Sequence, residues 1–281
     1  MHKLNNFHTH SIFSDGSAAP VDYVEEAIRQ GFASLGFSEH SVLPFENTFA
    51  LKPGSEISYI AEINRLRNEY KDQIKLYVAM EADYVPGIST GFEELKQIHG
   101  LDYIIGSVHL VKTSHPEKLW FIDGPKRETY DNGLNEFFNG DIRDGVSAYW
   151  HQINQMLENE KFDIVGHLDK IKMHNQDRWF SEDEKWYTNL VNETIDLIAE
   201  KGVIVEVNTR GIYKGRSQSL FPGEYILRKL SEKKIPVTLS SDAHQPHEIS
   251  LWFAEAKEVM KQCGINDLYY LDKKEWKEMA I

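Results

Sequence analysis

Apolar residues along this chain fall into two alternating patterns. Short continuous runs end abruptly on His, Glu or Asp, and between them lie longer stretches with apolar positions at helical spacing. The run endings are His8-Thr9-His10, Gly-Phe-Ser-Glu-His at 36 to 40, Val-Ala-Met-Glu at 78 to 81, Ile-Gly-Ser-Val-His at 105 to 109, Ile-Val-Gly-His at 164 to 167, Val-Glu-Val-Asn at 205 to 208 and Leu-Ser-Ser-Asp-Ala-His at 239 to 244. Residues i and i+2 of a strand share a face, so His8 and His10 can close on one ion together. Among the helical stretches, Pro20 opens a helix with Val21, Val24 and Ile28 as its stripe and Gly31 as its stop. Residues 56 to 70 repeat the pattern. Ser181 and Glu184, in capping-box spacing, open a helix that runs to Gly202, and residues 223 to 233 and 247 to 262 flank a last strand at 236 to 240. This β-α order predicts an α/β barrel of parallel strands with a polynuclear metal site at its C-terminal rim.

One segment departs from the alternation. From Lys112 to about Gly145 the pattern predicts no strand and little helix, with Trp120, Phe121, Tyr130, Phe137 and Phe138 set among Pro, Gly, Asp and Asn. A connection of this length reads as a loop partly covering the site. There is no linker-like or low-complexity tract, so residues 1–281 read as a single domain. No apolar segment follows Met1 as in a leader, and there is no run of roughly 18 apolar residues. The expectation is a cytoplasmic protein that does not engage membranes. Cys263 is the only cysteine, so any metal must be held by His and carboxylate. A formal charge of −13 with no basic face argues against nucleic acid as a partner and leaves a small molecule.

The residue types favour metal-assisted hydrolysis. Strand-end imidazoles mixed with carboxylates suit Zn, Mn or Fe(II). No Ser sits in a nucleophile elbow and no Gly-rich phosphate loop precedes a helix. Phe-His-Thr-His-Ser with Ser-Asp-Gly-Ser at 14 to 17, Glu-His at 39 and 40, Met-Glu-Ala-Asp-Tyr-Val-Pro-Gly at 80 to 87, Gly-Ser-Val-His at 106 to 109, Gly-His-Leu-Asp at 166 to 169 and Ser-Asp-Ala-His at 241 to 244 together resemble the polymerase and histidinol phosphatase (PHP) superfamily. Glu-Ala-Asp-Tyr-Val-Pro-Gly and the Trp-x-x-Asp stretch at 120 to 123 resemble its histidinol-phosphatase branch.

The resemblance implies a distorted seven-stranded (β/α)7 TIM-like barrel with three divalent metal ions at its C-terminal rim. By position, His8, His10, Glu81 and Asp242 would hold the first ion, Glu81, His109 and His167 the second, and Asp15, His40 and His244 the third, with Glu81 shared as two-metal hydrolysis requires. It implies a phosphomonoesterase converting L-histidinol phosphate to L-histidinol and phosphate in histidine biosynthesis. The alternatives are another small phosphate ester, such as a nucleotide, and a metal-binding module without activity. Asp242 reads as a proton acceptor; the leaving group is protonated by the Asp242 to His244 pair or by water, which the sequence leaves open.

Alternation along the strand that ends at Asn208 points Arg210 at the site, where with Lys214 or Arg216 it would clamp a phosphate dianion. Asp83, Trp120, Phe121 and Asp123 are the candidates for the rest of the substrate. Glu39 and Asp169, each beside a ligand histidine, read as groups that orient an imidazole. His2, His99, His115, His151 and His174 read as exposed or locally hydrogen bonded, His247 as a cap or surface residue, and Cys263 as a small packed side chain.

Overall fold

The computed structural model describes residues 4–115 and 118–281; His2 lies outside them. In chain order the elements are β1 (Leu4–Asn6), α1 (Pro20–Arg29), β2 (Phe32–His40), α2 (Glu56–Glu69), β3 (Lys75–Asp83), α3 (Phe92–His99), β4 (Tyr103–Ser107), β5 (Leu110–Lys112), β6 (Leu119–Phe121), α4 (Arg127–Phe138), α5 (Ile142–Asn159), β7 (Ile164–Val165), α6 (Lys185–Lys201), β8 (Ile204–Asn208), α7 (Arg210–Tyr213), α8 (Glu224–Glu232), β9 (Val237–Ser240), α9 (Phe253–Gln262), β10 (Asp267–Asp272) and β11 (Glu275–Ala280).

Seven strands form one parallel sheet in the order β1-β2-β3-β4-β7-β8-β9. The sheet curls into a nearly closed barrel. Closure is made at the rim by strand tails: Thr9 pairs with Ala243, His10 N–H donates to Ala243 O at 2.8 Å, and Ala243 N–H donates to His8 O at 3.2 Å. Helices cover the outside, so strands such as Leu76–Met80 are buried on both faces and read as unbroken apolar runs. Helix α6 buries Tyr187, Val191, Thr194, Ile195 and Ile198 at helical spacing, and α5 does the same with Val146, Tyr149, Trp150, Ile153, Met156 and Leu157. No helix among the described residues is long and apolar enough to cross a membrane.

Three expectations are corrected here. The 112–145 segment is not an irregular loop. An antiparallel hairpin (β5 with β6) leads into α4 and the start of α5, and Asp141 caps α5 through the N–H groups of Arg143 and Asp144. The hairpin strands are too short to carry a pattern, and Gly133 interrupts the helical one. That glycine has a packing reason. A Cβ there would stand 2.3 Å from Trp120 Cδ1, and one on Gly145 would stand 2.9 Å from Cζ3, so α4 and α5 close on the Trp120 ring from two sides. The helix assigned from Ser181 begins at Lys185. Ser181 and Glu184 instead form a turn, with Ser181 N–H on the Glu184 carboxylate at 3.0 Å. Likewise the helix assigned from His247 begins at Phe253, because Trp252 takes φ +67° and separates it from a turn at Pro246–Glu248.

The C-terminal hairpin β10–β11 covers the N-terminal end of the barrel. Trp276 meets Phe7 at 5.3 Å and Tyr103 at 5.8 Å between ring centroids, and Tyr77 OH donates to Leu271 O at 2.8 Å. A plug of aromatic rings therefore fills the barrel on the side opposite the strand-end histidines.

Candidate metal centre

Each strand delivers its polar residue as its ladder ends. His40 and Glu81 face each other in register at the tops of β2 and β3, while His109, His167, Asp242 and His244 lie just past β4, β7 and β9. His167 and Asp242 have φ of +21° and +51°, conformations that side chains other than Gly adopt at a cost. The cost falls on two residues whose side chains converge on the cluster.

The histidines and carboxylates form groups with ligand spacing. His8 Nε2 and His10 Nε2 lie 3.2 and 3.4 Å from Glu81 Oε2, and 3.9 and 3.6 Å from Asp242 Oδ1. On the other side, Glu81 Oε1 is 3.4 Å from His109 Nε2 and 2.9 Å from His167 Nε2, and those two nitrogens are 3.1 Å apart. A third group joins His10, Asp15, His40 and His244, with His244 Nε2 3.1 Å from Asp15 Oδ2. Donors about 2.1 Å from a tetrahedral ion stand roughly 3.4 Å from one another, close to these separations. His8 Nε2 and His10 Nε2 are buried without a hydrogen-bond partner, as ring nitrogens awaiting a cation would be. The donor set fits a metal site, and its nitrogen-oxygen mixture suits Zn, Mn or Fe(II).

The rings are aimed by buried carboxylates. His8 Nδ1 lies 2.6 Å from Glu206 Oε1, and Glu206 also accepts from His167 N–H, Ser240 Oγ and Asn208 Nδ2. His109 Nδ1 lies 2.8 Å from Asp83 Oδ1. With the Nδ1 protons committed to these acceptors, both Nε2 atoms face the cluster, where each can ligate once its own proton has left. Ser107 Oγ donates to Glu81 Oε1 at 2.7 Å, and only a glycine at 166 leaves it room, since a Cβ there would be 2.4 Å from that oxygen.

The electrostatics are those of a cation nest. Burial opposes charge on His8, but Glu206, Glu81 and Asp242 outweigh it and hold its imidazole protonated well above the usual range. His109 is pushed up to about 10, burial again being overcome by Asp83, Glu81 and Asp123. Burial would raise Glu81, yet His8, His40 and His109 pull it well below the carboxylate range.

Above this cluster lies a cavity of about 370 Å³ lined by Asp15, His40, Phe49, Phe121, Asp123, Arg210, Lys214, Arg216, Asp242 and His244, among others. The basic residues differ in what they already hold. Arg210 Nη1 donates to Asp242 O at 2.7 Å, and Lys214 is ion-paired with the buried Glu248. Arg216, half-buried, has no ion-pair partner among the described residues. Phe49 and Phe121 stack at 5.7 Å with 13° between their planes and form an aromatic wall.

Some candidate assignments are corrected by position. Trp120 does not line the cavity; it is fully buried in the core, with Nε1 donating to Tyr130 O. Asp83 is fully buried behind His109 and orients that ring instead of facing a substrate. Asp169 does not orient His167; it binds Lys172 and the Gly223 N–H. Glu39 accepts from Ser11 and Ser14 and reaches His10 only through Ser14 Oγ, 3.5 Å from Nδ1. His174 is buried and bonded to Gly124 O, while His247 is exposed and Cys263 buried. Sequence reasoning missed Phe49, on the connection after β2, and Lys170, which in the sequence reads as one more charged residue beside Asp169 and Lys172. It considered Glu206 without seeing that it braces His8.

A larger cleft, about 670 Å³, lies between β1–β3 and β10–β11, and no group of ligating side chains lines it among the described residues.

Comparison with known proteins agrees with this architecture. The histidinol-phosphatase of Lactococcus lactis is 27% identical over 279 residues, covering 95% of this chain and 94% of its own length. That of Bacillus subtilis is 27% identical over 240 residues, 81% and 87% of the two chains. The crystal structure of histidinol phosphate phosphatase from Lactococcus lactis, complexed with Zn, L-histidinol and phosphate, superposes with a TM-score of 0.69 at 23% identity, covering 98% and 99% of the chains. The PHP domain family matches residues 6–210, well over half the sequence, and that stretch carries the strand ends from His8 to Asn208: the chain belongs to the PHP domain family.

Proposed function

We propose that this chain hydrolyses L-histidinol phosphate to L-histidinol and inorganic phosphate, using three divalent ions held by His8, His10, Glu81 and Asp242, by Glu81, His109 and His167, and by Asp15, His40 and His244, with residues 1–281 acting as one domain. The observation that carries the reading is Glu81, which turns Oε2 to His8 and His10 and Oε1 to His109 and His167 beneath a cavity with arginines in its wall. The names of the curated relatives supply the substrate.

Bound at these residues, divalent ions would acidify a water and offset the charge of the phosphoryl oxygens. The chain's own groups then have distinct tasks. Arg210, held beside Asp242, and Arg216, which has no ion-pair partner among the described residues, present guanidinium donors to phosphate oxygens as charge develops. Asp242 stands where a proton leaving the nucleophile can be taken up, and the leaving oxygen receives its proton from the Asp242 and His244 pair, whose side chains are 3.4 Å apart, or from a water beside it. The Phe49–Phe121 wall offers a flat face to an imidazole, and Asp123 at the same opening offers counter-charge to an amine. The substrate is a small phosphate ester, consistent with a cavity of about 370 Å³.

The test is phosphate release from histidinol phosphate, nucleoside monophosphates and a generic aryl phosphate, each with added Zn, Mn or Fe(II). Preference for histidinol phosphate is the expected result, and preference for a nucleotide would replace the substrate assignment. Elemental analysis at saturating metal should approach three ions per chain; a plateau at one would end the trinuclear assignment.

A further inference from the structure

We infer that Lys170 is a positioning residue for the reaction proposed above, its buried ammonium holding the carboxylates of Asp123 and Asp242 in place at once. Lys170 begins the turn Lys170–Lys172 that follows β7, and it is only 2% exposed. Its Nζ lies 3.2 Å from Asp123 Oδ1 and 4.0 Å from Asp242 Oδ2, and 5.5 Å from the centre of the Phe221 ring. In each carboxylate the other oxygen faces the histidine cluster: Asp242 Oδ1 meets His8, His10 and His244, and Asp123 Oδ2 is 3.7 Å from His109 Nε2. Lys170 thus reaches both acids from behind, on the side turned away from the ring nitrogens.

The neighbouring lysine shows what a purely structural arrangement looks like. Lys172, also buried, pairs with Asp169 and Glu182, neither of which lines the cavity. Both partners of Lys170 do. They arrive from distant parts of the chain, Asp123 from the segment after β6 and Asp242 from the end of β9, so no shared element fixes their separation. The same stretch adds a second tie to the first of them. His174 Nε2 lies 2.8 Å from Gly124 O and holds the backbone beside Asp123. Two ionised acids buried near one another need a compensating charge, and removing one partner leaves the other's charge unmatched. Asp242 has further donors, Asn208 Nδ2 at 3.3 Å and Arg210 Nε at 4.0 Å; for Asp123 the ammonium is the nearest cation, with the His109 ring farther at 3.7 Å.

Because the inference rests on the phosphatase reading, wild-type activity is measured first, on histidinol phosphate and on a generic aryl phosphate, with metal content determined for every protein. Lys170→Met should keep its metal and lose about 10²-fold in kcat/KM, the upper range for a supporting group around a metal site. The loss should appear in kcat on both esters, because the unmatched Asp123 carboxylate repels Asp242, and in KM chiefly on histidinol phosphate, through Asp123. Lys170→Arg should recover a large part of it. The decisive variant is Lys170→Met with Asp123→Asn. Removing the uncompensated carboxylate should restore aryl phosphate turnover to within about tenfold of wild type, a non-additive outcome that a packing defect does not produce. An active wild type whose Lys170→Met variant is unchanged, or additive losses in the double variant, would overturn the role of Lys170. A wild type inactive on both esters retires the phosphatase reading and this inference with it.

Discussion

The two ends of the barrel are filled by opposite chemistry, and the boundary runs through a single peptide bond. Phe7 points into the base, where it packs on Tyr103 at 5.8 Å and Trp276 at 5.3 Å, while His8, the next residue, points into the rim between Glu81 and Glu206. The base is held by ring packing, with Tyr103 OH donating to Phe7 O and Tyr77 OH to Leu271 O. The rim is a buried assembly of imidazoles and carboxylates whose hydrogen bonds leave His8 Nε2 and His10 Nε2 unused. One end therefore needs shape and the other needs cations. Substitutions at the two ends should separate stability from metal binding.

The largest effect is expected at Glu81. Among the described residues it is the one side chain whose two oxygens reach different sets of histidines, Oε2 facing His8, His10 and His40 and Oε1 facing His109 and His167, so Glu81→Ala should lower turnover by at least about 10³-fold, the scale of a lost group that matches charge in the transition state. Metal content should fall with it. Near-normal turnover with full metal would remove Glu81 from the bridging position.

Trp276→Ala tests the other end. Losing a half-buried indole from the Phe7–Tyr103 cluster should cost about 2–3 kcal/mol of stability, somewhat below the value for a fully buried ring. Denaturant titration measures it. Metal content and kcat/KM of the folded variant should stay near wild type, and a parallel fall in metal content would mean that the plug and the rim are coupled.

The contrast between the ends also explains what could be read from the sequence. Rim residues announce themselves because His, Glu and Asp at the end of an apolar run have few other reasons to be there. His8, His10, Glu81, His109, His167 and Asp242 stood out in that way, and the parallel strands that carry them came with the same pattern. Positions that work through packing carried no such mark. Trp120 looked like a mouth residue because it lies near Asp123 in sequence, yet Gly133 and Gly145 make a slot for it inside the core. The hairpin β10–β11 alternates too weakly to stand out, with few buried positions in its outer strand. Lys170 sits between Asp169 and Lys172, where a solvated charge is the ordinary reading, and its partners are distant in the chain.

Within the rim, Arg216 and Lys214 should rank by what they already hold. Arg216→Ala should lower kcat/KM about tenfold on every phosphate ester, the worth of one charge-assisted contact. Lys214→Ala should lower it less, because Glu248 already neutralises that ammonium. Equal losses at the two positions would show that the Lys214 pair opens when substrate binds. No loss at Arg216 would return that residue to the solvated surface.

The smallest effect sharpens the comparison through pH. Without cations, the rim holds protons on His8 and His109, whose imidazoles are raised above 6.5, His109 to about 10. A group raised in the folded state contributes stability that is fully present below its unfolded value and is lost as pH rises through the folded one. Metal-free protein should therefore lose stability between about pH 6.5 and 10 through these two histidines, joined below about pH 8 by Glu39, whose carboxyl burial pushes up to about 8. Tyr77 and Tyr103 at the base are pushed up by burial and stay neutral across this window, so the base contributes no slope. Metal reverses the trend at the rim, because ligation requires unprotonated Nε2 and becomes tighter as the protons leave. Calorimetric titration of metal-free protein with Zn near pH 7.5, in buffers of different ionisation enthalpy, should register release of roughly one to two protons per chain. Uptake with no proton release, together with a flat stability profile in the metal-free protein, would show that the raised histidines are not the groups that receive the metal.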